Sequence, residues 1–152
     1  MRVFIENEAG SRTKNLYDDV TFAPRGSTQV SLPYPYPYGF VIGTVGGDGD
    51  AVDCFVLTDS ELASGDIIDC DPVGFLEQVE DGEIDHKVLA VPADEHRVLD
   101  DATVTQVKAF IGGVFAHVAG KQMETGRLLG SAEAHAYVET CRETAAPGEV
   151  SL

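Results

Sequence analysis

The chain contains no tryptophan, only 3 cysteines, and only 10 lysines and arginines against 26 aspartates and glutamates. Each scarcity excludes something. A formal charge of −16 opposes unassisted binding to nucleic acid or to an anionic membrane, because both carry the same sign. An anionic substrate would need metal ions to mediate its approach. Cys54, Cys70 and Cys141 are an odd number of widely separated thiols, with no Cys-x-x-Cys spacing and no histidine pair nearby. They predict reduced structural cysteines rather than a disulfide framework or a zinc site. His86, His96, His117 and His135 show no ligand spacing either and read as surface or packing residues. No apolar run reaches the length of a membrane span, and Arg2 and Glu6 interrupt the N-terminus before a signal-peptide core could form. The expectation is a cytoplasmic protein with neither a membrane nor a nucleic-acid partner.

What is present fits one domain over residues 1–152, since 43% hydrophobic composition at this length allows a real core. Short β-type runs fill the first two thirds: Val3 to Ile5, Thr28 to Leu32, Phe40 to Val45, Cys54 to Thr58, Ile67 to Asp71, Val73 to Leu76 and Lys87 to Val91. Gly, Pro and Asp punctuate nearly all of them. That even spacing predicts a compact antiparallel sheet or small closed barrel. Helical periodicity appears later: Val104, Val107, Ile111, Val114, Phe115 and Val118 form one stripe, so a helix is expected over 101–119, although Gly112 and Gly113 weaken it. A second helix is expected from Ser131 as N-cap, burying Tyr137, Val138 and Cys141 and ending before Pro147, with a frayed tail from Ala145 onward. The predicted fold is α+β but mainly β, a small closed antiparallel β-barrel with helices packed outside, two of them late in the chain.

The densest chemistry lies between Asp48 and Cys54, where Asp48, Asp50 and Asp53 follow Gly46-Gly47. Carboxylate oxygens are the hard ligands Mg²⁺ prefers, and glycines let a loop aim several of them at one point. The spacing does not suit an EF-hand, whose fifth and sixth positions fall here on Val52 and Asp53. A solvated turn is the competing reading, because Gly and Asp also make turns. The segment Pro33-Tyr34-Pro35-Tyr36-Pro37-Tyr38 must be extended, since each proline fixes its own φ and restricts the residue before it. It could be a polyproline ligand, a set of core aromatics (Tyr36 above all), or a rigid mount from which the Tyr34 and Tyr38 hydroxyls bond a phosphate.

Tyr34-Pro35 with Tyr38-Gly39-Phe40, then Asp48-Gly49-Asp50 with Asp53, then Glu80-Asp81-Gly82-Glu83-Ile84-Asp85-His86-Lys87, together resemble the soluble inorganic pyrophosphatases in order and spacing. The resemblance continues through Pro72-Val73-Gly74 and Val88 to Pro92, and back to Glu6 and Lys14. It implies an OB-like barrel, hydrolysis of pyrophosphate to two phosphates with several Mg²⁺ ions, and a homo-oligomer, commonly a hexamer in bacterial relatives. By the same resemblance Asp48, Asp53 and Asp85 match the main metal ligands, with Glu6 and Glu80 among the acidic groups around the metals. Asp50 matches the carboxylate acting on the attacking water. Lys14, Tyr38 and Arg25 match phosphate-binding groups (Arg25 one residue out of register), Tyr34 lines the site, and Lys87 follows the last metal aspartate.

The chain also departs from that pattern. Leu16 stands where the family has a glutamate, Ala51 where it has a proline, and Val118-Ala119 where a Tyr-Lys pair grips one phosphate. Lys121 or Arg127 would have to compensate from outside the register. A stripped subsite leaves a second substrate class open, an organic diphosphate or phosphate ester, and a non-catalytic relative is the remaining alternative; survival of all four motif aspartates opposes the last.

Overall fold

The computed structural model describes residues 1–121 and 123–145. Five strands close a ring: β1 (Arg2–Asn7), β4 (Tyr38–Val41), β5 (Asp53–Val56), β8 (Lys87–Pro92) and β6 (Ile67–Glu80), which pairs back onto β1. All but one of these pairings are antiparallel. β5 and β8 run parallel, with Asp53 opposite Lys87. β2 (Thr13–Tyr17) and β3 (Pro24–Gln29) form a separate hairpin, and β7 (Glu83–Ile84) and β9 (Met123–Leu129) extend the sheet from β6. Two helices, α1 (Asp101–Gly113) and α2 (Ser131–Ala145), complete a mainly β architecture. Among the described residues no helix is long and apolar enough to cross a membrane.

Strand alternation divides the interior into two apolar clusters. Val3, Ile5, Cys54, Val56, Val88 and Ala90 meet Ala134, Val138 and Cys141 of α2. Phe55, Leu57, Leu89 and Val91 meet Val107, Phe110, Ile111 and Val114 at α1. Fully burying side chains of this size contributes about 1.5–3 kcal/mol each. The three cysteines are free and buried, with the thiols of Cys54 and Cys70 pushed up by burial. Gly39 marks where two strands cross most closely, because a Cβ there would lie 1.7 Å from the Phe4 carbonyl oxygen.

Several boundaries differ from the sequence expectation. The runs 67–71 and 73–76 are one strand, β6, in which the register shifts between Pro72 and Gly74. The irregularity absorbs a proline that has no N–H to give the ladder. β3 begins at Pro24 rather than Thr28, and neither β2 nor β9 was expected: their sequences, TKNLY and METGRLL, lack an apolar alternation. Helix α1 starts at an Asp100 N-cap, whose side chain accepts from the Thr103 N–H at 2.8 Å, but stops at Gly113 instead of running to 119. A Cβ on Gly113 would sit 2.6 Å from Leu32 Cδ1, and the Val114 carbonyl accepts from the Ser31 N–H at 2.8 Å, so the chain turns away there. At α2 the Ser131 hydroxyl donates to the Pro72 carbonyl at 3.1 Å rather than capping the helix. Of the frayed tail expected from Ala145 onward, Ala145 is the last residue of α2 and 146–152 lie outside the described residues.

Candidate active site

One end of the ring opens into a cleft of about 660 Å³. Its walls come from five places in the chain. β1 supplies Glu6, the β2–β3 hairpin Lys14, Leu16, Tyr17, Asp19 and Arg25, and β4 Tyr38 and Phe40. The β4–β5 loop supplies Asp48, Asp50 and Ala51, with Asp53 at the head of β5; the β6–β7 turn and the residues after it supply Glu80, Asp81, Glu83 and Asp85. The hairpin is fixed in place by an aromatic stack: Phe4 packs against Phe22 and Tyr17 at 4.9 Å and against Phe40 at 5.2 Å. Phe22 takes a φ of 62° to reach it.

The aspartate loop is braced by its own backbone. The Gly46 N–H donates to the Asp50 carbonyl at 2.7 Å, the Asp50 N–H to Asp48 Oδ1 at 3.0 Å, and the Ala51 N–H to Asp19 Oδ2 at 2.9 Å. Thr44 closes the loop from inside, donating to the Val41 carbonyl at 2.7 Å and accepting from the Val52 N–H at 3.0 Å. Below it, the parallel register of β5 and β8 puts Lys87 beside Asp53. Its ammonium lies 2.5 Å from Asp53 Oδ2 and 2.9 Å from Asp85 Oδ2, almost wholly buried.

The electrostatics follow from this crowding. Glu6 is pushed up to about 8, first by burial and then by the Asp53 charge. Burial also raises Asp48 and Asp85, with Asp53 adding to both. Burial is the largest influence on Asp53 too, but the Lys87 charge, the hydrogen bonds with Asp85 and Lys87 and the Lys14 charge together outweigh it and hold the carboxyl below its ordinary value. Nine carboxyl side chains thus line the cleft against two cations, Lys14 and Arg25, so a multiply charged anion would be repelled. Hard oxygen donors in surplus, with burial pushing Glu6 and Asp85 each up to about 8, fit divalent cations such as Mg²⁺. Among the described residues no three of them close on a single point. They line a wall around the cleft, with Lys87 between Asp53 and Asp85.

Of the residues expected from sequence, Glu6, Lys14, Arg25, Tyr38, Asp48, Asp50, Asp53, Glu80 and Asp85 all reach the cleft. Arg25 does so from an irregularity in the hairpin, where Leu16 lies opposite Gly26 but Tyr17 opposite Pro24. Two do not line it. Tyr34 is 3% exposed and packs behind Tyr38 at 5.3 Å, its phenol raised by burial and by the charges of Glu6 and Asp53. Lys87 supports the carboxylates from beneath. Tyr36 is a core residue, as one reading of the tyrosine-proline segment held, and its hydroxyl accepts from Arg97 Nη2 at 2.9 Å. Asp19 was missed, because an Asp-Asp pair in a hairpin loop carries no signal beyond solubility.

The departures are also placed. Val118 and Ala119 are exposed beyond the end of α1 and line no part of the cleft. Lys121 does approach it: its Nζ is 2.5 Å from Glu80 Oε1 and 3.8 Å from Asp81 Oδ2, and lies over the Phe115 ring, whose centroid is also 5.1 Å from Lys14 Nζ. Arg127 instead pairs with Glu77 on an exposed face.

The sequence model of the family described as inorganic pyrophosphatase matches residues 3–146. The chain belongs to the inorganic pyrophosphatase family. A pyrophosphatase of Streptomyces coelicolor is 32% identical over 147 residues, covering 90% of each chain. One from Synechocystis is 39% identical over 99 residues, and there the chain spans 59% of its relative's length. The solved Helicobacter pylori inorganic pyrophosphatase superposes with a TM-score of 0.88 at 25% identity, covering 95% of this chain and 92% of that one. The likeness runs through both helices of this pyrophosphatase-family chain, beyond the first two thirds that carry its motifs.

Proposed function

We propose that this protein hydrolyses inorganic pyrophosphate to two phosphates and that the reaction requires divalent cations, Mg²⁺ first among them. The observation that carries the reading is the convergence of Asp48, Asp50, Asp53, Asp85 and Glu6 with Lys14, Arg25 and Tyr38 on one cleft of a chain in this family. Asp48, Asp53 and Asp85, with Glu6 and Glu80 around them, would hold the cations. Bound there, the cations neutralise phosphoryl oxygens and make water more acidic.

The chain's own side chains do the rest. Asp50, exposed at the mouth of the cleft between two ligand aspartates, orients the attacking water and accepts its proton. Lys14, Arg25 and the Tyr38 hydroxyl hold the phosphoryl oxygens, and burial keeps Tyr38 a neutral donor. Lys121 takes the place of the family lysine lost at Ala119. Lys87 keeps Asp53 ionised and aimed. Free, buried cysteines suit the cytoplasmic location and the family resemblance suits a hexamer, and both belong to the same reading.

Leu16 favours a second reading. It lies 41% exposed on the cleft wall where the family carries a carboxylate, and an apolar side chain there would seat an organic substituent on a diphosphate or phosphate ester. The deciding experiment measures phosphate release from pyrophosphate and from a panel of organic phosphates, with Mg²⁺ and with excess chelator. Mg²⁺-dependent release from pyrophosphate above the whole panel is expected. Undiminished turnover in chelator refutes the metal requirement, and preference for an organic phosphate selects the second reading.

A further inference from the structure

The ligand aspartates stand on two separate pieces of chain, the 46–53 loop and the 80–85 hairpin, and the two touch away from the cleft floor. A Cβ built on Gly47 would lie 2.9 Å from Ile84 Cβ, 3.2 Å from Ile84 Cγ2 and 3.3 Å from the Ile84 carbonyl oxygen. Real side chains do not sustain a Cβ contact of 2.9 Å, and the other two would be tight, so any residue but glycine would push the two segments apart. Behind the contact stands Tyr137 of α2. Its ring stacks on Phe75 at 5.1 Å and 17° and meets the His86 ring at 5.3 Å, while its hydroxyl faces Gly46, where a Cβ would be 3.6 Å away. His86 is tied in turn to β6, its Nδ1 accepting from the Gln78 N–H at 3.0 Å, and the adjacent Asp85 N–H donates to the Gln78 carbonyl at 2.9 Å. The other end of α2 holds the loop directly, since the Cys141 carbonyl accepts from the Val45 N–H at 3.0 Å.

We propose that the Gly47–Ile84 contact, backed by Tyr137, sets the distance between the two carboxylate banks and thereby the affinity of the cleft for its divalent cation. Gly47, Ile84 and Tyr137 are positioning residues: none of them needs to touch substrate or metal. A carboxylate pair on two loops binds a cation well only if the loops arrive already spaced for it, and residues supporting metal ligands typically alter affinity by about 10–100-fold when changed.

The inference rests on the cation-binding reading above, and calorimetric titration of Mg²⁺ into the protein, without substrate, separates the two. Gly47→Ala is expected to raise the Mg²⁺ dissociation constant roughly tenfold or more, and Gly47→Ala with Ile84→Gly to recover most of the loss by removing the opposing Cβ. Tyr137→Leu, which keeps Gly47 but removes the brace, is expected to weaken Mg²⁺ binding severalfold and covers the case in which Gly47→Ala does not fold. Folded variants with wild-type Mg²⁺ affinity overturn the positioning role while leaving the hydrolase reading intact. A wild-type protein that binds no Mg²⁺ overturns both. A Gly47→Ala loss that Ile84→Gly does not relieve refutes the contact as its cause.

Discussion

Replacing Lys87 with methionine tests the electrostatic design of the cleft most directly. The substitution keeps most of the side-chain volume and removes one ammonium, leaving Asp53 and Asp85 facing each other in a nearly dry setting. Breaking a buried ion pair by deleting one partner costs about 3–5 kcal/mol, because the surviving charge keeps its desolvation penalty. Here Asp53 loses its counter-charge while Asp85, pushed up to about 8 chiefly by burial, already favours its protonated form, so that range applies in metal-free buffer at neutral pH. For a chain of this size each kcal/mol moves Tm by roughly 2–4 °C, which gives a loss of roughly 6–20 °C by circular dichroism. The loss should shrink on acidification, since protonation of Asp53 removes the uncompensated buried charge. It should also shrink on adding Mg²⁺, which substitutes a divalent charge for the missing ammonium and stabilises by about 2.7 kcal/mol at a hundredfold excess over its dissociation constant. The Mg²⁺-induced rise in Tm should therefore be larger in Lys87→Met than in the wild type. A variant with wild-type Tm in chelator, or with a smaller Mg²⁺ response, refutes the assignment of Lys87 as the charge that holds the two aspartates together.

Three other outcomes follow from the same geometry. Asp50→Asn is expected to keep the fold and most Mg²⁺ affinity in calorimetry while lowering kcat by roughly 10² or more; an unchanged rate would reduce Asp50 to a structural member of its loop. Lys121→Ala should raise KM for pyrophosphate by roughly tenfold or more, the loss of one charge-assisted hydrogen bond of about 1.5–3 kcal/mol, whereas Arg127→Ala, paired away from the cleft with Glu77, should leave steady-state kinetics unchanged; equal effects of the two would show that Lys121 has no special place. Glu6, raised from 4.5 to about 8, holds in the folded state a proton that the unfolded chain has released. Its contribution to stability is complete below about pH 4.5 and lost as pH rises through 8. Since a cation displaces that proton, the Mg²⁺-induced rise in Tm should be larger at pH 8 than at pH 6, and equal shifts would mean that Glu6 does not sense the metal.

How much of this was legible in the sequence depends on which interactions fix each element. The aspartate loop and the β8 run could be read because their constraints are local: glycine and carboxylate spacing in one, an unbroken apolar stretch buried on both faces in the other. β2 and β9 could not, because little within TKNLY or METGRLL prefers a strand. Each is held by a neighbour supplied from elsewhere, β3 for one and β6 for the other. α1 was read six residues too long for a related reason. Its apolar stripe continues past Gly113, and the helix stops there because Leu32 and Ser31, remote in sequence, fill the space and take the bond that a further turn would use. The same distinction runs through the site. Asp48, Asp50, Asp53 and Asp85 announce themselves by spacing, while Asp19 and Lys121 reach the cleft only through a hairpin docked on Phe4 and a turn docked on Phe115. Lys121 is the consequential case. Helix α1 stops at Gly113, so Val118 and Ala119, which the resemblance puts in register with the phosphate-gripping pair, lie beyond its end. Val118 and Ala119 are exposed, and a lysine two residues after Ala119, beyond the turn at Gly120, brings its charge to Glu80. A register comparison scores that arrangement as a loss. In space, a cation still stands at that rim of the cleft.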